Sequence, residues 1–176
     1  MKKSKIAITI LGCIGIFLIA ALVMVPAAQA GEKTVKFKLV SPITKMEFIP
    51  IPDMKGHVIG VAERRGVAIY ENGETATYHS TITFDSGGGQ GNTWEGYGDL
   101  SFADGSMTIT KSKGTTIRGK PSLVKGTGKY IKGTGRFEGI QGECSFNCKY
   151  VTPYTKDTTK GDLVCDVTST YTLPKK

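Results

Sequence analysis

The sequence predicts an all-β protein: one antiparallel meander of roughly eight strands closing into a barrel, preceded by an N-terminal signal helix. Three observations carry this. Apolar and polar residues alternate with a period of two almost everywhere after residue 30. Turn dipeptides fall between the alternating runs. No stretch after residue 30 shows the spacing of an amphipathic helix.

The first thirty residues form three zones. Lys2, Lys3 and Lys5 give a positive start, residues 6–25 are almost wholly apolar, and Ala28-Gln29-Ala30 supplies small residues at a cut site. These are the parts of a secretory signal, so residues 1–30 are expected to be removed after Ala30 and residues 31–176 to form one domain. The protein is then exported, periplasmic or secreted. The apolar run is longer than the roughly 7–15 residues of an ordinary signal core, so retention as an anchor is the alternative. A lipobox reading of Ile10-Leu11-Gly12-Cys13 has too little apolar sequence before it and too much after. After cleavage no stable membrane span remains.

The 176-residue chain carries a net charge of +8, which falls to +5 when the three signal lysines leave. The remaining basic residues are scattered rather than blocked, and export makes nucleic acid an unsuitable partner.

The strands follow in order. Val35, Phe37 and Leu39 alternate with lysines and threonine over 34–40. Ile49-Pro50-Ile51-Pro52 cannot be a central strand, because proline has no N–H to give a ladder; it reads as an edge or a crossing segment. Strands are expected at 57–63 and 66–71, then at 74–84 after the hairpin dipeptide Asn72-Gly73. Asp104-Gly105 joins strands 97–103 and 106–112 in the same way. A long strand, bent along its course, is expected at 136–150, and residues 152–161 connect it to a last strand at 162–173.

Removal of the signal takes Cys13 and leaves Cys144, Cys148 and Cys165. Alternation puts all three on inward faces. A symmetric hairpin around 152–161 sets Cys148 opposite Cys165, and opposed Cα atoms in a non-hydrogen-bonded pair are about 4.5 Å apart, within disulfide reach. A Cys148–Cys165 bridge with Cys144 free is therefore expected; three buried thiols are the alternative. The three cysteines lack metal-ligand spacing, so neither a metal nor a cofactor is expected.

The motif Gly-Thr-Gly-basic-aromatic occurs twice, at 126–130 and 133–137. A dinucleotide fingerprint would need glycine where Ile131 and Glu138 stand, and a P-loop would need serine or threonine where Tyr130 stands. The glycines read instead as bulges and tight bends of a curved sheet.

Two further constellations could carry chemistry. Glu95 and Asp99 flank Gly96-Tyr97-Gly98 and, with Cys144, are the catalytic candidates. His79 lies on a threonine-bearing face and reads as exposed, and neither it nor His57 belongs to a triad motif. Residues 87–94 are glycine-rich and end in Trp94, either a mobile lid or a plain loop with the indole tucked onto the barrel end.

The Asp104-Gly105-Ser106 hairpin, followed by Gly-Thr-Gly-Arg-Phe-Glu-Gly-Ile-Gln-Gly at 133–142, resembles the allene oxide cyclase–dirigent superfamily of calycin-like eight-stranded barrels. The resemblance covers residues 97–150. It implies a closed barrel and assembly as a homo-oligomer, dimer or trimer. No catalytic residue of the family maps onto this chain.

A barrel of eight strands has room for side chains or one small ligand. Tyr78, Phe84, Phe102, Phe146, Tyr150 and Tyr171 are expected to line the interior, with Trp94 and Tyr97 at the mouth. The function these residues suggest is binding of a small apolar or aromatic ligand. The alternatives are an enzyme of the cyclase or isomerase kind and a structural, oligomer-forming protein.

Overall fold

The computed structural model describes residues 31–87, 91–152 and 161–175. Nine strands run β1 (Lys33–Ser41), β2 (Ile43–Pro50), β3 (His57–Tyr70), β4 (Thr75–Gly87), β5 (Gly91–Phe102), β6 (Met107–Ile117), β7 (Leu123–Thr134), β8 (Gln141–Tyr150) and β9 (Leu163–Thr172). A one-turn 3-10 helix, Gly135–Phe137, stands between β7 and β8. The described residues contain no α-helix, and none long and apolar enough to cross a membrane. The expected signal helix lies outside the described residues.

Every pairing is antiparallel. The sheet runs β1-β9-β8-β7-β6-β5-β4-β3, and β1 pairs back onto β3, which closes an eight-stranded barrel. Closure by β1 removes the sheet edges over residues 37–40 and 67–70, and β2 is left as the one edge strand among the described residues. β1 and β2 behave as one strand bent at Pro42: β1 pairs with the end of β3 and β2 with its beginning. β2 pairs with β3 alone, so the Ile49-Pro50 segment sits on an edge, as proline requires.

Tight turns set the register. Gly73 and Gly105 adopt positive φ, and the carboxamide of Asn72 and the carboxylate of Asp104 each accept an N–H two residues on, from Glu74 and Ser106. Such Asx turns suit two-residue hairpins.

Several sequence expectations need correction. The two strands expected at 57–63 and 66–71 are one, β3, which passes straight through Arg64-Arg65. β2 and β7 were not expected as strands. Residues 136–150 are not one bent strand: the 3-10 turn breaks them and β8 begins at Gln141. β5 starts at Gly91, six residues before the expected 97. The glycines of residues 126–142 are only partly bends. The bulge in the β6–β7 ladder falls at Ile131, and Gly135, Gly139 and Gly142 take positive φ, but Gly126 and Gly128 sit inside a regular strand.

Cys148 and Cys165 face each other across β8–β9 and form the disulfide, and Cys144 is the free cysteine. The bridge fastens the chain on either side of the connection between β8 and β9.

Candidate functional site

The two ends of the barrel differ. At the end that carries the β3–β4, β5–β6 and β7–β8 connections, aromatic rings fill the interior. Phe37 packs on Tyr70 with ring centres 4.7 Å apart, Tyr70 on Phe102 at 5.8 Å, and Phe102 on Phe137 at 4.9 Å. Tyr171 meets Phe137 and Tyr130 edge-on. Arg136 lies over the Phe102 and Phe137 rings and pairs with Glu74 and Asp104. Guanidinium stacking of this kind seals the aromatic plug from above.

Towards the opposite end the interior is hollow. A cavity of about 900 Å³ reaches the β6–β7 loop at Gly119–Ser122 and the start of the β8–β9 connection at Val151. Its size suits a small organic molecule. Tyr78, Phe84, Trp94, Phe146 and Tyr150 line it, together with Thr108, Thr110 and Ser112 of β6. Phe102 and Tyr171, expected to line the same space, belong to the plug instead.

The hollow is built by missing side chains. A Cβ on Gly126 would lie 2.6 Å from the Phe146 ring, and one on Gly114 would lie 2.5 Å from the indole of Trp94. Without them the two rings lie flat against the wall, stacked with centres 5.8 Å apart, and leave the middle of the barrel free. Trp94 is thus part of β5, facing inward. The lid or plain loop read over 87–94 is cut short because β5 begins at Gly91; residues 88–90 lie outside the described residues.

The catalytic candidates do not meet. Glu95 is exposed on the outer face of β5. Asp99 is on the same outer face, engaged at 3.3 Å by His79. Tyr97 borders the cavity wall, but its ring turns outward, 52% exposed beneath Lys111. Cys144 alone faces inward, and burial pushes its thiol up to about 11, so it stays protonated and a poor nucleophile near neutrality.

The sequence reading missed two groups of the cavity wall, Arg64 and Ser80, which face each other on β3 and β4. Arg64 is only 5% exposed. Nη1 donates to the carbonyl oxygens of Ser41 at 2.8 Å and Gly161 at 3.0 Å, and Nη2 donates to the Tyr150 hydroxyl at 3.1 Å. Burial lowers its pKa, yet a guanidinium keeps its charge at any ordinary pH. Burial also raises the pKa of the neighbouring cavity phenol Tyr78, so that it remains a hydroxyl donor. No cluster of metal-ligating side chains occurs among the described residues.

Solved structures share this architecture. The pterocarpan synthase dirigent protein GePTS1 superposes with a TM-score of 0.51 over 82% of this chain and 92% of its own, at 15% identity. The pterocarpan synthase dirigent protein PsPTS1 gives 0.50 over 84% and 99%, at 13% identity. The fold is dirigent-like. No protein-family model and no curated protein matches the sequence. The dirigent-like barrel thus bears out the resemblance seen at 97–150 and extends it to most of the chain.

Proposed function

We propose that this dirigent-like barrel is an exported binding module for a small apolar or aromatic ligand. The cavity of about 900 Å³, open at one end and walled by Tyr78, Phe84, Trp94, Phe146 and Tyr150, carries the reading. A barrel with no binding role gains from filling its interior, since each void forfeits packing energy. Here inward glycines hold the void open against that cost. The hydrophobic effect then supplies affinity, and flat ring faces favour aromatic guests. Export is supported by the signal-like residues 1–30 and by the disulfide, which suits an oxidising compartment.

A cyclase or isomerase would need acid–base groups facing the cavity. Asp99 and Glu95 stand on the outer face and Cys144 holds its proton, so binding without turnover is favoured.

Native mass spectrometry of the protein taken from its own exported compartment tests the proposal. A native mass in excess of the denatured mass is expected, and the released molecule gives the ligand class. Material without excess mass that also takes up no apolar probe would overturn it.

A further inference from the structure

Arg64 is a buried cation with no carboxylate in contact with it among the described residues. Asp162, whose charge reaches it, is held by the Thr152 hydroxyl at 2.7 Å. Three of its five N–H groups serve Ser41, Gly161 and Tyr150. The Nε–H and one Nη2–H have no partner among the described residues, and the residue borders the cavity.

Beside it, Ser80 is 2% exposed and borders the same cavity; its Oγ has the Tyr78 hydroxyl nearby but makes no hydrogen bond of normal geometry. Buried polar groups are normally satisfied, so two neighbouring ones with capacity to spare, both on one cavity wall, call for a partner from the cavity. A neutral donor could have served the carbonyls of Ser41 and Gly161; burying a charge there is costly unless an anion meets it.

The rest of the cavity carries the same sign. The hydroxyls of Tyr78 and Tyr150 lie on this wall, and Arg118 and Lys120 stand at the mouth. Asp99, the acid that borders the cavity, is turned to His79 on the outer face. Positive groups at an opening draw anions towards it.

We infer that the barrel takes an amphipathic monocarboxylate, with its apolar or aromatic body against Trp94 and Phe146 and its carboxylate on Arg64 and Ser80. Guanidinium donors match carboxylate oxygens in spacing and charge, which lysine would not do as well. This deepens the binding proposal and rests on it.

A displacement titration tests the inference. The neutral dye N-phenyl-1-naphthylamine, bound to the purified protein, is displaced at pH 7.5 by 6-phenylhexanoate or by 6-phenylhexan-1-ol, which differ in the head group. The carboxylate is expected to act at a concentration at least about tenfold lower, the gain of a charge-assisted hydrogen bond. Arg64→Gln should remove that advantage, read as the ratio of the acid and alcohol concentrations that displace the dye from the variant. Ser80→Ala, which spares the Arg64 contacts to Ser41, Gly161 and Tyr150, should reduce it about threefold through one lost hydroxyl bond; this variant keeps the test valid if Arg64→Gln does not fold. Dye uptake with equal displacement by acid and alcohol overturns the carboxylate assignment and leaves the binding proposal standing. Failure of the dye to bind overturns both.

Discussion

The plugged end and the hollow end of the barrel are built from similar residues with opposite results. At the plugged end, Phe37, Tyr70, Phe102, Phe137 and Tyr171 pack on one another, and Arg136 caps them. At the hollow end, Trp94 and Phe146 lie on glycines and face empty space. What distinguishes a core from a pocket here is not the aromatic residues but what stands next to them. Rings that meet from several strands and fill the interior make a core; a ring pair laid over glycines leaves a wall. The plug holds the barrel's shape so that the other end can stay open.

The contrast should appear most strongly in stability. Phe137 is 8% exposed between Phe102 and Tyr171. Phe137→Ala should cost about 3–5 kcal/mol, as for a packed core ring. Phe146→Ala, whose ring already faces a void, should cost only about 1–2 kcal/mol and should weaken dye uptake. Urea unfolding of both variants measures the difference; equal losses would break the distinction between the ends.

The disulfide comes next. Cys148 and Cys165 are 17 residues apart in sequence and bridge β8 to β9 towards the hollow end. Replacing both with serine should cost about 2–3 kcal/mol, near what closing a loop of that length provides. Chemical denaturation of the double variant is the measurement.

A smaller loss with a larger functional effect is expected from Gly126→Ala. The added Cβ would meet the Lys113 carbonyl oxygen at 2.6 Å and the Phe146 ring at 2.6 Å, and the ring can give way only into the cavity. The cost should be about 1–2 kcal/mol, with dye uptake lost. Unchanged uptake would mean that the glycine does not shape the pocket.

The smallest effect is a pH dependence confined to the hollow end. There His57 is held by Asp53 at 2.5 Å and Asp85 at 3.0 Å. The hydrogen bond to Asp53, with help from Asp85, raises its pKa above the ordinary 6.5. The fold therefore favours the protonated ring. The stabilisation is complete below about pH 6.5 and is lost as pH rises through the folded pKa. His57→Gln should lower the melting temperature at pH 5.5, and the gap to the parent should close by pH 9. The plugged end has Arg136 in the corresponding role, which does not titrate in this range.

Much of this was legible in the sequence. Alternation gave the β class, Asn72-Gly73 and Asp104-Gly105 placed two hairpins, and the spacing around 152–161 paired Cys148 with Cys165. What failed did so for physical reasons. β7 escaped notice because Gly126 and Gly128 occupy two of its inward positions, between Val124 and Tyr130, and interrupt the apolar half of the alternation there. Glycine at every second position between outward polar residues is the signal that could have revealed both the strand and the hollow. Arg64 hid for a related reason. A charge at an inward position interrupts the series Ala62, Gly66, Ala68, so one strand looked like two. Phe102 and Tyr171 were rightly placed inward, but period two tells only which face a residue takes. Its height along the barrel depends on strand stagger, which a single sequence does not display.

The central claim is that the hollow end is a ligand site, and Trp94, the single tryptophan of the chain, lies on its wall. Its emission during a titration with N-phenyl-1-naphthylamine is the most direct test. The account predicts saturable quenching with a stoichiometry of about one dye per chain, since one cavity of this volume holds one small molecule. Emission that stays unchanged, or declines linearly without saturation, in a protein shown to be folded by circular dichroism would contradict it.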